Sequence, residues 1–154
     1  MGRGSAIAVS VLIDVAPDVV WADLRDIPSH VEWMTDAVAI RFRTPQREGV
    51  GTSFDCETRV GPIRLTDHMV VTAWEPGSVI GVRHTGAVRG QGRFILERSG
   101  PARSRLTWTE RLSFPWWLGG RIGAAVGGPV LSRIWTRNLD AFRARLTAAP
   151  PAPG

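Results

Sequence analysis

The stretch from Pro115 to Leu146 constrains this chain more than any other. Leu131, Trp135, Leu139, Phe142 and Leu146 recur there at helical spacing and form one broad apolar stripe, with Arg133, Arg137, Arg143 and Arg145 largely on the rest of the cylinder. A stripe of that width has to be covered. The chain from Ser5 to Phe114 reads mainly as short alternating strands broken by Gly/Pro turns, so its natural partner is one curved antiparallel sheet and the class is α+β. A long helix lying in the concave face of a sheet encloses either a core or a cavity.

The strands follow from period-two alternation. Ile7, Val9, Val11, Ile13 and Val15 give the clearest one. Pro17 and Pro28 each sit near the start of a short helix, the first carrying Val19, Val20, Trp21 and Leu24 and the second Val31, Trp33 and Met34. Val38, Ile40 and Phe42 share one face of strand two, and Phe54, Cys56 and Thr58 one face of strand three. Strand four places Ile63, Leu65, Asp67, Met69, Val71 and Ala73 together, with His68 opposite, and ends at the turn signal Glu75-Pro76-Gly77-Ser78. Ile80, Val82 and His84 share a face of strand five, and Gly92, Phe94 and Leu96 share one of strand six. Ser99 to Arg103 then forms a hairpin loop into strand seven, whose inward residues are Leu106, Trp108, Glu110 and Leu112.

Composition narrows the function classes. A length of 154 residues suits one domain, expected over 1–147, with 148–154 as a disordered Pro/Ala-rich tail. The single Cys56 cannot form an internal disulfide. All nineteen basic residues are Arg, and they are scattered without a cluster, so the net charge of +5 points to no nucleic-acid partner. The most apolar window, Leu112 to Leu131, carries Arg121, five Gly and two Pro, which argues against stable membrane insertion. With no leader pattern, the cytoplasm is the expected compartment. His30, His68 and His84 lie far apart with no second Cys, so no metal site is expected. There is no P-loop, Rossmann glycine pattern or nucleophile elbow, and no cofactor is expected either.

The element order, the early Trp33, the Trp74-Glu75-Pro76 turn and the strand Arg105-Leu106-Thr107-Trp108-Thr109-Glu110 before the final helix resemble the START-like (SRPBCC) superfamily, in its polyketide cyclase/dehydrase and lipid-transport group. The resemblance covers the chain up to the tail. It implies a helix-grip fold: a seven-stranded antiparallel sheet curved around a long C-terminal helix, two short helices between strands one and two, and an apolar cavity between sheet and helix. Trp33, Phe54, Met69, Gly92, Phe94, Trp108, Trp117, Ile122, Val126 and Trp135 are the residues expected to bind a ligand there. Pro115-Trp116-Trp117-Leu118-Gly119-Gly120 reads either as a mobile entrance or as a helix start that packs Trp into the core, and Gly127-Gly128-Pro129 as a second break in the arm.

Polar groups on apolar strand faces carry the chemistry, because burying them without partners costs about 1–3 kcal/mol each. Asp67, His84 and Glu110 are the three. A tight turn at Glu75–Ser78 would set Trp74 against Val79 and hence Met69 against His84, with Asp67 diagonal to His84. A five-residue loop at Ser99–Arg103 would set Gly92 against Glu110, and matching parity then places His84 beside Gly92. The expected row is Met69, His84, Gly92, Glu110, a polar end in a greasy pocket, with His84 available for acid–base work near neutral pH. Three functions fit: a binder of a hydrophobic small molecule such as a lipid, polyketide or aromatic metabolite; an aromatase/cyclase using His84, Glu110 and Asp67; or an interaction module with little or no cavity.

Overall fold

The computed structural model describes residues 5–148, the side chains of residues 5, 121, 122 and 124–126 apart. Most of the expected tail therefore lies outside the described residues. Seven strands form one antiparallel sheet: β1 (Ser5–Ile13), β2 (Ala37–Phe42), β3 (Ser53–Val60), β4 (Ile63–Glu75), β5 (Val79–Thr85), β6 (Arg89–Gly100) and β7 (Arg103–Ser113). Helix α1 (Pro17–Leu24) and a 3-10 helix (Ile27–Glu32) lie between β1 and β2, and helix α2 (Gly120–Thr147) closes the chain. The spatial order β1-β7-β6-β5-β4-β3-β2 puts the first two strands at opposite edges, so the segment between them crosses the whole sheet. This is the helix-grip architecture.

Pro17 opens α1 because its missing N–H is one that a first helical turn leaves unbonded in any case. The apolar stripe of α2 buries Trp135, Leu139 and Phe142 against the sheet, with Leu131 and Leu146 partly covered at its ends. Aromatic rings knit this half of the molecule: Trp108 stacks on Trp135 with centroids 4.9 Å apart, and Trp33 meets Phe142 at 4.8 Å. Such pairs contribute about 0.5–1.5 kcal/mol each beyond their burial. Fully buried Asn138 anchors the helix from the side, donating from Nδ2 to Asp36 Oδ1 at 2.7 Å while its Oδ1 accepts the Thr35 backbone N–H at 3.0 Å. Because α2 packs chiefly on β1, it leaves the β3–β5 half of the concave face uncovered, where Ile27 of the 3-10 helix packs on Phe54 and Val71.

Several expectations need correction, and local backbone irregularity is the usual reason. A bulge between Ala37 and Ala39 turns Ala37 inward and leaves Val38 47% exposed, so Val38 does not share the inner face with Ile40 and Phe42. The β4–β5 hairpin pairs Trp74 with Ile80, not Val79, but an irregularity at Thr72 absorbs the slip and Met69 still pairs with His84. The β6–β7 turn is tighter than five residues, since Gly100 pairs with Arg103, and an extra residue at Ser99 restores the expected Leu96–Leu106 register. Strand β5 meets β6 two residues away from expectation: His84 pairs with Gly90, and Gly92 with Val82. Helix α2 runs unbroken through Gly127-Gly128-Pro129, where Pro129 removes a single backbone donor and the anchored turns that follow hold the axis. Pro115-Trp116-Trp117 packs no Trp into the core; a short 3-10 turn holds Trp116 at 87% and Trp117 at 53% exposure.

Candidate functional site

Between α2 and the uncovered half of the sheet lies a cavity of about 380 Å³. Strands β3 to β7 supply most of its wall, and α2 and the 3-10 helix close it. Phe54, Met69, Phe94, Trp108 and Trp135 of the expected ligand-binding set lie in its wall, and Gly92 forms part of the floor. Trp33 is buried behind this lining, against Phe94, Trp108 and Phe142, and its Nε1–H has no partner among the described residues. Trp117 stands at the surface while its neighbour Leu118 borders the cavity. The side chains of Ile122 and Val126 lie outside the described residues.

The three polar candidates do come together. His84 Nδ1–H donates to Asp67 Oδ2 at 2.8 Å, and Nε2–H donates to Glu110 Oε2 at 3.0 Å. Trp108 Nε1–H donates to the other Glu110 oxygen at 3.0 Å. His84 and Glu110 are each 7% exposed. Burial alone would lower the imidazole pKa, but hydrogen bonds and charge from Asp67 and Glu110 outweigh it and push it from 6.5 up to about 10. His84 is therefore an imidazolium at neutral pH, with both N–H groups engaged, and its neighbours tune it away from neutrality rather than toward it.

Strand β6 explains how residues on β5 and β7 can touch across it. Their backbones are two strand spacings apart, about 10 Å, and any inward side chain between them would block the contact. The two inward positions are Gly90, opposite His84, and Gly92, opposite Glu110, so imidazole and carboxylate meet diagonally over a trough of two glycines. Strand parity alone points to one glycine, Gly92, and sets it beside His84. The period-two repeat Gly90-Gln91-Gly92 is the signal for the second.

A methyl group at residue 92 would fall 2.3 Å from Glu110 Oε1 and 2.4 Å from its Cδ. The carboxylate is held by His84 and Trp108, so it can yield only by breaking one of those bonds. Gly92→Ala is expected to lose about 1–3 kcal/mol of stability and to bring the His84 pKa down toward its ordinary value. Titration of the imidazole signals by NMR reads the second effect; an unchanged midpoint would contradict this seating of Glu110.

His30 and Cys56 are lining residues with side-chain chemistry that the ligand-binding expectations left out. His30, from the 3-10 helix, donates Nε2–H to the Leu24 carbonyl at 2.7 Å, and burial lowers its pKa, so it is neutral. Cys56 lines the β3 wall, and burial pushes its thiol up to about 11, which leaves it protonated. His68 is on the outer face, donating to Asp55 at 2.5 Å and away from the cavity. No helix among the described residues is long and apolar enough to cross a membrane.

Comparisons with known proteins agree with the fold. The model of the family described as polyketide cyclase/dehydrase and lipid transport matches residues 6–149. Similar solved structures include a protein from Thermus thermophilus, 15% identical with a TM-score of 0.74, covering 95% of this chain and 99% of that one. The aromatase/cyclase ZhuI from a Streptomyces species is 16% identical with a TM-score of 0.75, covering 92% of each chain. A START superfamily protein from Mycobacterium smegmatis is 10% identical with a TM-score of 0.72, covering 94% and 97%. At these identities the likeness is one of fold. Comparison with curated proteins finds no match.

Proposed function

We propose that this chain, which belongs to the polyketide cyclase/dehydrase and lipid transport family, binds a hydrophobic small molecule in the cavity between α2 and the sheet. The observation that carries the reading is the cavity itself: about 380 Å³ within a largely aromatic and aliphatic wall, in the size range of small-ligand sites, with a buried polar cluster at Asp67, His84 and Glu110. Phe54, Met69, Phe94, Trp108 and Trp135 supply contact area, and the polar cluster supplies orientation. Trp117, Ile122 and Val126 stay in this proposal as ligand-binding residues expected from the sequence, and Trp33 supports the wall from behind. Action in the cytoplasm is part of the same reading. An interaction module with a filled core fits poorly beside an open volume of this size.

A second reading, aromatase/cyclase chemistry, is favoured by the acid–base cluster inside the apolar wall and by the fold shared with an aromatase/cyclase. Ring closure of a polyketone by aldol addition and loss of water asks for a positioned chain and proton transfer. Here Asp67, whose Oδ1 has no partner among the described residues, would take the proton and return it to the departing hydroxyl as water leaves, and the His84 imidazolium would act as a fixed positive charge.

Native mass spectrometry of freshly purified protein, followed by organic extraction, tests the leading reading. The expected result is a population carrying one added mass that extraction identifies as an apolar compound. A single unliganded mass, together with no thermal shift across a lipophilic compound set, would refute it.

A further inference from the structure

The hydrogen bonds around His84 also restrict what the polar end of the cavity can accept. Both N–H groups of His84 are already engaged by Asp67 and Glu110. Both oxygens of Glu110 are engaged, one by His84 and one by Trp108. What is left is Asp67 Oδ1, a buried carboxylate oxygen with no hydrogen-bond partner among the described residues. Asp67 borders the cavity. Unmet capacity here is therefore for accepting a hydrogen bond, not for donating one.

Charge points the same way. One imidazolium between two carboxylates leaves the cluster short of one positive charge, and the surrounding wall is apolar. Arg93 also borders the cavity, but it sits on β6 between the inward residues Gly92 and Phe94, is exposed, and runs its side chain along Gly81 on the outer face. His30 gives its one N–H to Leu24. A ligand carboxylate or phosphate placed at this end would meet two carboxylates, with the N–H groups of His84, Trp108 and His30 already committed, and the loss of its water would go largely uncompensated.

We propose that the ligand carries a hydrogen-bond donor, a phenol, enol or alcohol hydroxyl or a protonated amine, on an apolar frame, that the donor is received by Asp67 Oδ1, and that anionic lipophiles such as fatty acids are excluded. This rests on the binding reading above and narrows it. A polar donor in an apolar pocket gives discrimination well beyond shape, because the analogue lacking it leaves a buried acceptor unpaired.

The test uses three probes on one frame: 2-naphthol, which donates; 2-methoxynaphthalene, which cannot; and 2-naphthoate, which is anionic. Quenching of tryptophan fluorescence at pH 7 reads their affinities. The wild-type protein is expected to bind 2-naphthol at least tenfold more tightly than 2-naphthoate, with the ether between them. Asp67→Asn, which replaces an acceptor by an amide able to donate, is expected to narrow or invert that order. Equal affinities, or 2-naphthoate bound tightest by the wild type, would overturn the proposal even if the variant does not fold. An unchanged order in a folded Asp67→Asn protein would also overturn it. Failure of all three probes to bind would overturn this inference, while the cavity-binding reading is decided separately by the native mass spectrum and the thermal shifts.

Discussion

Replacing His84 with alanine is expected to cost about 3–5 kcal/mol of folding stability at pH 6, because it leaves two buried carboxylates facing a void where an imidazolium stood. The magnitude follows from the asymmetry of buried ion pairs: making one yields little net stability, whereas removing one partner strands the other. Here two are stranded, Asp67 and Glu110, and Trp108 Nε1–H remains as the one partner of Glu110.

The pH dependence carries a sign. His84 has a folded-state pKa of about 10 against an ordinary 6.5, so the folded protein holds a proton that the unfolded chain gives up between these values. Its contribution is fully present below pH 6.5, declines across the interval and is lost as the pH rises through about 10. The stability gap between wild type and His84→Ala should therefore be widest at pH 6 and shrink steadily by pH 10. Urea unfolding of both proteins at pH 6, 8 and 10 checks this. A gap below 1 kcal/mol, or one that does not change with pH, would mean that His84 is not a clamped imidazolium.

Gly90→Ala is expected to be more damaging still, abolishing folding or lowering stability by about 4 kcal/mol or more. Gly90 has φ +144°, outside the range of residues with a Cβ, and a methyl there would lie 1.9 Å from the Arg111 carbonyl oxygen on β7. Backbone cannot swing aside as a side chain can, so β6 and β7 would have to part. They would part where the trough between His84 and Glu110 is built. Gly77→Ala is the control: Gly77 also has positive φ, +83°, but nothing lies within 4 Å of the new methyl. It should lose only about 1–2 kcal/mol, the strain of the left-handed conformation alone. Thermal unfolding separates the two. Equal losses would show that the close approach of Gly90 to Arg111 does not matter.

Strand alternation and the helical stripe of Leu131 to Leu146 make the architecture readable from the chain, because burying one face requires those periods. The pairing of Met69 with His84, the diagonal placement of Asp67 and the pairing of Gly92 with Glu110 are readable for the same reason: inward side chains must meet inward side chains. What escapes is anything carried by a local change in the backbone. The extra residues at Thr72 and Ser99 alter hairpin register without any marked change of residue type, and they happened to cancel errors in turn length. The step of two residues between β5 and β6 preserves facing, so no hydrophobic pattern distinguishes Gly90 from Gly92 as the partner of His84. Asn138, an amide on the buried side of the helix, makes sense only once Thr35 and Asp36 are seen beneath it. Trp116 and Trp117 show the opposite failure, since aromatic character alone does not say which way a short turn will face.

Methionine methyl signals report whether a ligand occupies the space between helix α2 and the sheet. The chain has three Met, at positions 1, 34 and 69, and both Met34 and Met69 line the cavity. With ¹³C-methyl-labelled methionine and 2-naphthol or any compound recovered by extraction, the Met34 and Met69 signals should shift together and saturate with one ligand per chain. If neither lining methyl moves while the ligand demonstrably binds, the binding site is elsewhere and the cavity is not the seat of function.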